Sequence, residues 1–176
     1  MRDVPVLASA RLRLRPRTVE DADALFPTLS DPHAMTYWSH APFETVEQVR
    51  DRFAQAVPDW RAWSITRRDD DRAIGFVSAG EKWTGNVTEV GYMLASAHGG
   101  AGLAREAVAC VIDHLFVTEG QRRVFADTDP DNVRSNALLK ALGFTLEGRL
   151  RAEWETHIGV RDTFLWGLLA TEWIDR

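Results

Sequence analysis

The sequence predicts an α/β (α+β) fold, with a mixed but mostly antiparallel twisted sheet of about six or seven strands flanked by about four helices. Two observations predict it. Strand and helix patterns alternate along the 176 residues, with strand patterns following one another directly in the first half. One apolar run, Val90-Gly-Tyr-Met-Leu-Ala95, then passes through a glycine-rich turn straight into a helix pattern and a further strand. Such a strand–helix–strand unit closes as a right-handed parallel crossover. The sheet is therefore antiparallel at first, with parallel neighbours at the glycine turn. Residues 1–176 read as a single domain, long enough to bury a sizeable core.

Taken in order, Leu12-Arg-Leu-Arg-Pro16 alternates as a half-exposed strand does. Thr18 is the expected N-cap of a helix with acids in its first turn and Leu25 and Phe26 on its apolar side, ended by Pro27 and Ser30-Asp-Pro32. Ala34-Met-Thr-Tyr-Trp-Ser39 is an aromatic loop that packs on the core or borders a ligand. Thr45-Val-Glu-Gln48 is a capping box opening a helix with Val46, Val49, Phe53 and Val57 at helical spacing, stopped by Pro58. Trp60–Arg67 and Ala73–Ser78 form a hairpin about the polar turn Asp69–Arg72. Asn86–Leu94 is the strand entering the glycine turn. A helix follows from Leu103 to about Thr118, buried through Leu103, Ala107, Val108, Val111, Ile112 and Leu115. Arg122–Thr128 is a short strand, Asn132–Leu142 a helix closed by a C′ glycine at Gly143. Phe144–Glu155 and Arg161–Ala170 are the last two strands.

The glycine turn is the most informative stretch. Gly99, Gly100 and Gly102 fall within four residues, between a strand and a helix. Glycine lets a ligand approach the backbone, and the first free amides of a helix face an anion with the dipole behind them. The stretch reads as a pyrophosphate cradle, or else as a flexible loop with no ligand. A nucleotide-triphosphate loop needs Gly-Lys-Ser/Thr, but Leu103-Ala104 follow Gly102. A dinucleotide fingerprint needs a third glycine where Arg105 stands.

What fits is the spacing from Gly99 through Gly102 to Ala104, which resembles the acetyl-CoA loop of the GNAT superfamily of N-acetyltransferases, usually Q/R-x-x-G-x-G/A. Gly99 departs from it, standing where a larger side chain is usual. A second stretch, Asp129-Pro-Asp-Asn-Val-Arg-Ser-Asn and on to Leu142-Gly-Phe144, is good turn and helix-entry chemistry. It also resembles the N-x-x-S … L-G-F motif of one GNAT branch, the bacterial ribosomal-protein acetyltransferases acting on N-terminal alanine or serine. Ala10–Pro16 with Glu20-Asp21, Ser30-Asp-Pro32, Thr88–Leu94 and Phe144–Arg151 resemble that branch too, so the likeness covers essentially the whole chain. It implies an acetyl-CoA-dependent N-acetyltransferase working by direct transfer. The cosubstrate contacts it implies come from Tyr92, Met93 and Leu94, from Gly99, Gly100, Ala101, Gly102, Leu103 and Ala104, and from Asn132, Ser135 and Lys140. With glycine and alanine where side chains often help, backbone amides from about Gly100 to Ala104 carry most of the pyrophosphate contact.

Acetyl transfer from a thioester needs a neutral amine and a stabilised leaving thiolate. An α-amino group titrates near about 7.7–8.0 and lysine near about 10.4, so a base helps the first and is close to necessary for the second. Glu89 lies in a mostly apolar strand, where a carboxylate needs a reason: catalysis, an ion pair or a backbone hydrogen bond. The resemblance implies a second source of the base, the strand after Phe144–Gly148, where the position falls on Trp154 between Glu153 and Glu155; Glu153 is the candidate. Many family members place a tyrosine acid four residues before the L-G-F glycine, but Leu139 stands there. Ser135 matches the serine of the ribosomal-protein branch and would mostly hydrogen-bond the nascent thiolate. Asn132 would bond pantetheine amides while capping its helix.

The net charge of −5 argues against a nucleic-acid partner and allows a cationic one, such as an amine. One cysteine, Cys110, excludes an internal disulfide, suits a reducing cytoplasm and reads as a core residue. The N-terminus lacks the apolar length of a signal peptide, and no run reaches membrane-spanning length. Five histidines without metal spacing and a lone cysteine argue against a metal site. The expected partner is an amine acceptor, a peptide N-terminus or a small molecule; an aminoglycoside, a polyamine or an amino acid would fit the same fold. Trp38, Trp60, Trp63 and Trp83 precede the cradle, where acceptor pockets are built, though tryptophan is also a core residue. A homodimer is compatible with the sequence, and a CoA-binding module acting by protein interaction is the other class it allows.

Overall fold

The computed structural model describes residues 4–55, 57–82 and 84–175. Its eight strands form one sheet in the order β1-β2-β3-β4-β5-β6-β8-β7. The strands are β1 (Leu7–Ala8), β2 (Leu12–Pro16), β3 (Trp60–Arg67), β4 (Gly75–Glu81), β5 (Val87–Leu94), β6 (Arg123–Thr128), β7 (Thr145–Thr156) and β8 (Gly159–Leu169). Every neighbouring pair is antiparallel except β5 and β6, which are parallel across the crossover helix. This is the mixed α/β fold expected, with slightly more strands than expected because the two-residue β1 adds an edge.

The helices are α1 (Asp21–Leu29), α2 (Val46–Ala54), α3 (Leu103–Asp113), α4 (Val133–Ala141) and the short α5 (Ala170–Ile174). They cover both faces of the sheet. Because side chains alternate along a strand, each strand feeds two cores. On one face Leu12, Leu14, Trp63, Val77 and Val124 pack against α3 through Leu103, Val108, Val111 and Ile112. On the other, Phe76 and Met93 pack against Ala22, Leu25, Leu29 and Val49 of α1 and α2.

Several boundaries differ from the sequence reading. Thr18 does not cap α1: its backbone N–H donates to Asp21 Oδ2 at 2.9 Å, and the helix begins at Asp21. Asp21 is buried, and its carboxylate is occupied by Arg15 and by the Ser64 hydroxyl at 2.7 Å, so the acid, not the threonine, organises the helix start. Pro27 lies inside α1 instead of ending it. The Thr45 cap holds, with Gln48 N–H donating to Thr45 Oγ1 and Gln48 Oε1 accepting from Glu44 N–H. However, α2 stops at Ala54, which leaves Val57 off its apolar stripe and exposed. The helix expected to run to Thr118 is α-helical to Asp113 and continues as a wider π turn over His114–Thr118. Gly143 sits at φ +88° just past α4, as a C′ glycine does. Cys110 is half-buried against the first core.

Candidate active site

The pairing of β5 with β6 covers only Val87–Arg123, Thr88–Val124 and Glu89–Phe125. Beyond those rows β5 continues to Leu94 and β6 to Thr128 without pairing to each other. A cavity of about 660 Å³ occupies that place, lined by Val90, Gly91 and Tyr92 of β5 and by Ala126, Asp127 and Thr128 of β6. Residues of both parities line it, so it communicates with both faces of the sheet. Tyr92, Asn132 and Ser135 reach it from the α3/α4 face, and Glu89 and Asp127 from the α1/α2 face.

On the α3/α4 face the glycine turn is shaped by its backbone. A short 3₁₀ turn (Ser96–His98) ends at Gly99; Gly100 and Gly102 take φ +83° and +75°, a region open to glycine at little cost. Gly102 is the N-cap of α3 and no side chain caps it. Among the described residues, the N–H groups from Gly100 to Ala104 meet no acceptor. Successive free amides at the positive end of an eleven-residue helix fit a diphosphate. The turn is held from outside by Arg11, whose Nη1 donates to Ala101 O at 2.9 Å and whose Nε donates to Glu106 Oε2 at 2.6 Å. Partial burial pushes the Glu106 pKa up, but hydrogen bonds from Arg11 and Ser9 outweigh it and lower it overall. Neither Arg11 nor Glu106 was singled out in the sequence, since the link spans ninety-five residues.

The second motif supplies hydroxyl chemistry. Asn132 Oδ1 caps α4 by accepting the Ser135 N–H at 3.2 Å, and the residue lines the cavity with no acceptor for its amide nitrogen among the described residues. Asp129 at the turn is clamped by Arg161 of β8, and Asn136 is fixed by Thr128 Oγ1 and Trp166 Nε1. This frame sets Ser135 Oγ 2.7 Å from Tyr92 Oη. Burial pushes the Tyr92 pKa up to about 12, with the Ser135 bond pulling slightly the other way, so the phenol keeps its proton at neutral pH. A tyrosine hydroxyl thus does reach the site, from β5 and not from the α4 position occupied by Leu139, which is fully buried.

On the opposite face, Glu89 pairs with Lys82 Nζ at 3.2 Å, so the ion-pair reading of this carboxylate holds, and the residue also lines the cavity. Asp127, not singled out in the sequence, stands beside it on β6 with no hydrogen-bond or ion-pair partner among the described residues. Desolvation, then the like charge of Glu89, raise its pKa to about 6; Lys82 opposes them and Glu153 adds to them. A signal existed: Asp127 is the one acid in the strand Arg-Val-Phe-Ala-Asp-Thr128, the same anomaly that drew attention to Glu89.

The remaining expected residues fall in different places. Glu153 is exposed on a bulged stretch of β7, where Ala152 takes φ +52°, and it is Trp154 that lines the cavity, so Glu153 reaches the site only through its charge. The Met93 and Leu103 side chains are buried in the two cores, which leaves only their backbones to offer a ligand. Leu94 packs against the first core, and Lys140 is exposed in the last turn of α4. Met35 of the aromatic loop is core, whereas Tyr37 and Trp38 line the cavity. Trp63 is wholly buried, Trp60 lines the cavity, and Trp83 lies outside the described residues. Among the described residues, no group of three metal-ligating side chains could hold an ion, and no helix is long and apolar enough to cross a membrane.

A split sheet with an amide cradle on one side and paired carboxylates on the other defines a class of acyl-transfer enzyme. Comparison with known proteins gives its family. The GNAT acetyltransferase domain matches residues 11–145. An uncharacterised N-acetyltransferase, p20 of Bacillus licheniformis, is 34% identical over 175 residues, covering 95% of this chain and 97% of its own. The chain belongs to the GNAT family of N-acetyltransferases. Two solved structures share its fold at lower identity. Ribosomal-protein-S5-alanine acetyltransferase from Vibrio fischeri has a TM-score of 0.80 at 24% identity, over 97% of this chain and 99% of that one. Spermidine N-acetyltransferase from Vibrio cholerae, in complex with CoA and spermine, has a TM-score of 0.82 at 20% identity, over 94% and 99%.

Proposed function

We propose that the protein transfers the acetyl group of acetyl-CoA directly to a primary amine, with Glu89 and Asp127 receiving the amine proton and the Tyr92–Ser135 pair facing the departing sulfur. The observation that carries this reading is the opening between β5 and β6, where two hydroxyls and two carboxylates face one cavity from opposite sides of the sheet. The cosubstrate would lie with its diphosphate on the amides from Gly100 to Ala104, beside Gly99, its amide-bearing arm against the Tyr92, Met93 and Leu94 backbone and Asn132, and with Lys140 available at the far end of α4. When bound, acetyl-CoA supplies a thioester whose carbon–sulfur bond breaks as the carbon–nitrogen bond to the acceptor forms.

The residues of the chain then move protons. Asp127, with a pKa near 6, accepts a proton from an ammonium or attacking amine better matched to neutral pH than an ordinary carboxylate is. It releases that proton to water. At Ser135 Oγ and Tyr92 Oη the hydroxyl hydrogens are held by partners whose pKa lies well above the roughly 8.5 of a thiol. They therefore stabilise sulfur charge by hydrogen bonding, and the thiolate takes its final proton from solvent.

Calorimetric titration with acetyl-CoA tests the reading first. Saturable binding is expected, and its absence at millimolar concentration would overturn the enzyme assignment in favour of an interaction module. An acceptor screen across peptide N-termini, polyamines, aminoglycosides and amino acids, read by the mass gain of one acetyl group, then identifies the amine.

A further inference from the structure

The cavity wall contains four arginines, Arg17, Arg52, Arg61 and Arg161, and they are not equivalent. Arg61 is buried and ion-paired to Glu119 and Glu81. Arg161 is bonded to Asp129 and Asp131. Arg17 and Arg52 have no side-chain hydrogen bond or ion pair among the described residues. The Arg17 guanidinium lies on the Phe53 ring at 4.1 Å, with Phe76 at 5.3 Å, so its plane is fixed while its N–H edge stays unsatisfied. Burial, then repulsion from Arg52, lower its pKa to about 10. The more distant charge of Asp21 opposes that shift, but its carboxylate is held by Arg15 and Ser64. A half-buried cation with no counter-ion in contact marks a place where an anion is wanted.

The position of Arg17 relates it to the acid end. Its N–H donates to Ala62 O at 3.0 Å, which puts it in the row Ala62–Ser78–Gly91 across β3, β4 and β5. Glu89 is two residues along β5 from Gly91 on the same face. Three strand spacings separate the Arg17 and Gly91 backbones, roughly 14 Å. The floor between is small: an alanine, a serine and a glycine, where a β-carbon at Gly91 would come within 3.1 Å of Ser78 Oγ. The cavity is thus bipolar, with unpaired cations at one end, the Glu89–Asp127 carboxylates at the other, and a low floor between.

We propose that Arg17 and Arg52 form an anion-recognition subsite, so that the acceptor is a primary amine carrying a separate carboxylate or phosphate group. The amine lies at Glu89 and Asp127 and the anion is held by the Arg17 fork. This rests on the acetyltransferase reading and adds the acceptor class to it: an amino acid or acidic peptide, or a phosphorylated amine, and not a polyamine or an aminoglycoside, whose further amines would meet Arg17 as like charges.

Two measurements test it independently. In the first, turnover is compared across matched acceptors: an ω-amino carboxylate, an amino-terminated dipeptide and an aminoalkyl phosphate, each against its neutral amide or ester, with spermidine alongside. The anionic members are expected to show kcat/KM about 10- to 100-fold above their neutral partners, and Arg17→Gln to remove that ratio while acetyl-CoA affinity holds. Arg17→Lys should restore part of it. The better member, carboxylate or phosphate, identifies the source of the anion. Equal or better turnover of the neutral amides or of spermidine would overturn the subsite. The second measurement needs no turnover: glutarate and inorganic phosphate are titrated by calorimetry into wild type, Arg17→Gln and Arg52→Gln. Saturable binding lost in the variants is expected, and binding that is absent or equal in all three would overturn the subsite. Failure of acetyl-CoA to bind would instead strike the acetyltransferase reading and leave this second result standing.

Discussion

The two halves of the cavity are built by different means. On the α3/α4 side, the groups proposed to hold the diphosphate are backbone, amides from Gly100 to Ala104 at a helix start with φ of two glycines setting their direction, and the side chains of Tyr92, Asn132 and Ser135 enter only farther along the cavity. On the α1/α2 side, they are side chains from separate elements, Arg17 after β2, Arg52 on α2, Glu89 on β5 and Asp127 on β6. A diphosphate offers the same oxygens in every reaction, so fixed amides suffice for it. An acceptor varies, and side chains can change without disturbing the fold that holds them. The donor side should therefore break through backbone substitutions and the acceptor side through charge substitutions.

Gly102→Val is the harshest test of the donor half. A branched residue at φ +75° costs about 1–2 kcal/mol of loop strain and sets methyl groups beside the free amides. Acetyl-CoA affinity by calorimetry should fall about 100-fold, equivalent to about 2.7 kcal/mol, while circular dichroism shows the fold retained. Retained affinity would mean that side chains, not amides, carry the cradle. Tyr92→Phe is milder. It removes one hydroxyl of the pair and should lower kcat about 10- to 100-fold with KM for acetyl-CoA nearly unchanged. Ser135→Ala should act similarly, and the double variant should fall short of the product of the two. Full additivity would separate the hydroxyls.

The smallest effects belong to the acid pair. The acidic limb of kcat/KM should lie near pH 6, where Asp127 loses its proton. Asp127→Asn should abolish that limb. Glu89→Gln removes the like charge that raises Asp127 and should move the limb to lower pH. A limb unmoved in both variants would take the base away from these strands. The same shift has a stability sign: a carboxyl raised in the folded state opposes folding once ionised, so the penalty appears as pH rises from about 4 to above 6. Since Asp127 is open to solvent in the cavity, Asp127→Asn should stabilise the protein by only about 1 kcal/mol at pH 7.5 in urea unfolding, and not at pH 4.

The geometry of the proposed donor half was legible in the sequence because its determinants are contiguous. Glycine spacing, the Asn132–Ser135 interval and Gly143 are local patterns with local causes, and so is the alternation that fixes the strands. The proposed acceptor half was legible only at Glu89, because Arg17, Arg52 and Asp127 become its neighbours only through sheet register and helix docking. Arg17 looks like an ordinary basic residue after Pro16, and nothing local separates it from Arg13 or Arg15, which hold Asp71 and Asp21. Tyr92 was legible as a residue of the strand but not as the partner of Ser135, which stands forty-three residues away on the other side of the crossover. Thr18 misled because an acid three residues on reached back to it.

The three-row pairing of β5 with β6 also has a mechanical side. It divides the sheet into two plates, β1 to β5 and β6 to β8, joined by a short seam and by the α3 crossover. Amide hydrogens at Val90–Leu94 that face the seam should exchange with deuterium sooner than those facing β4, although both belong to one strand. A ligand arm with its own amides, lying in that seam, would act as a rivet between the plates, and its arrival would be felt as stiffness across the whole of β6 to β8.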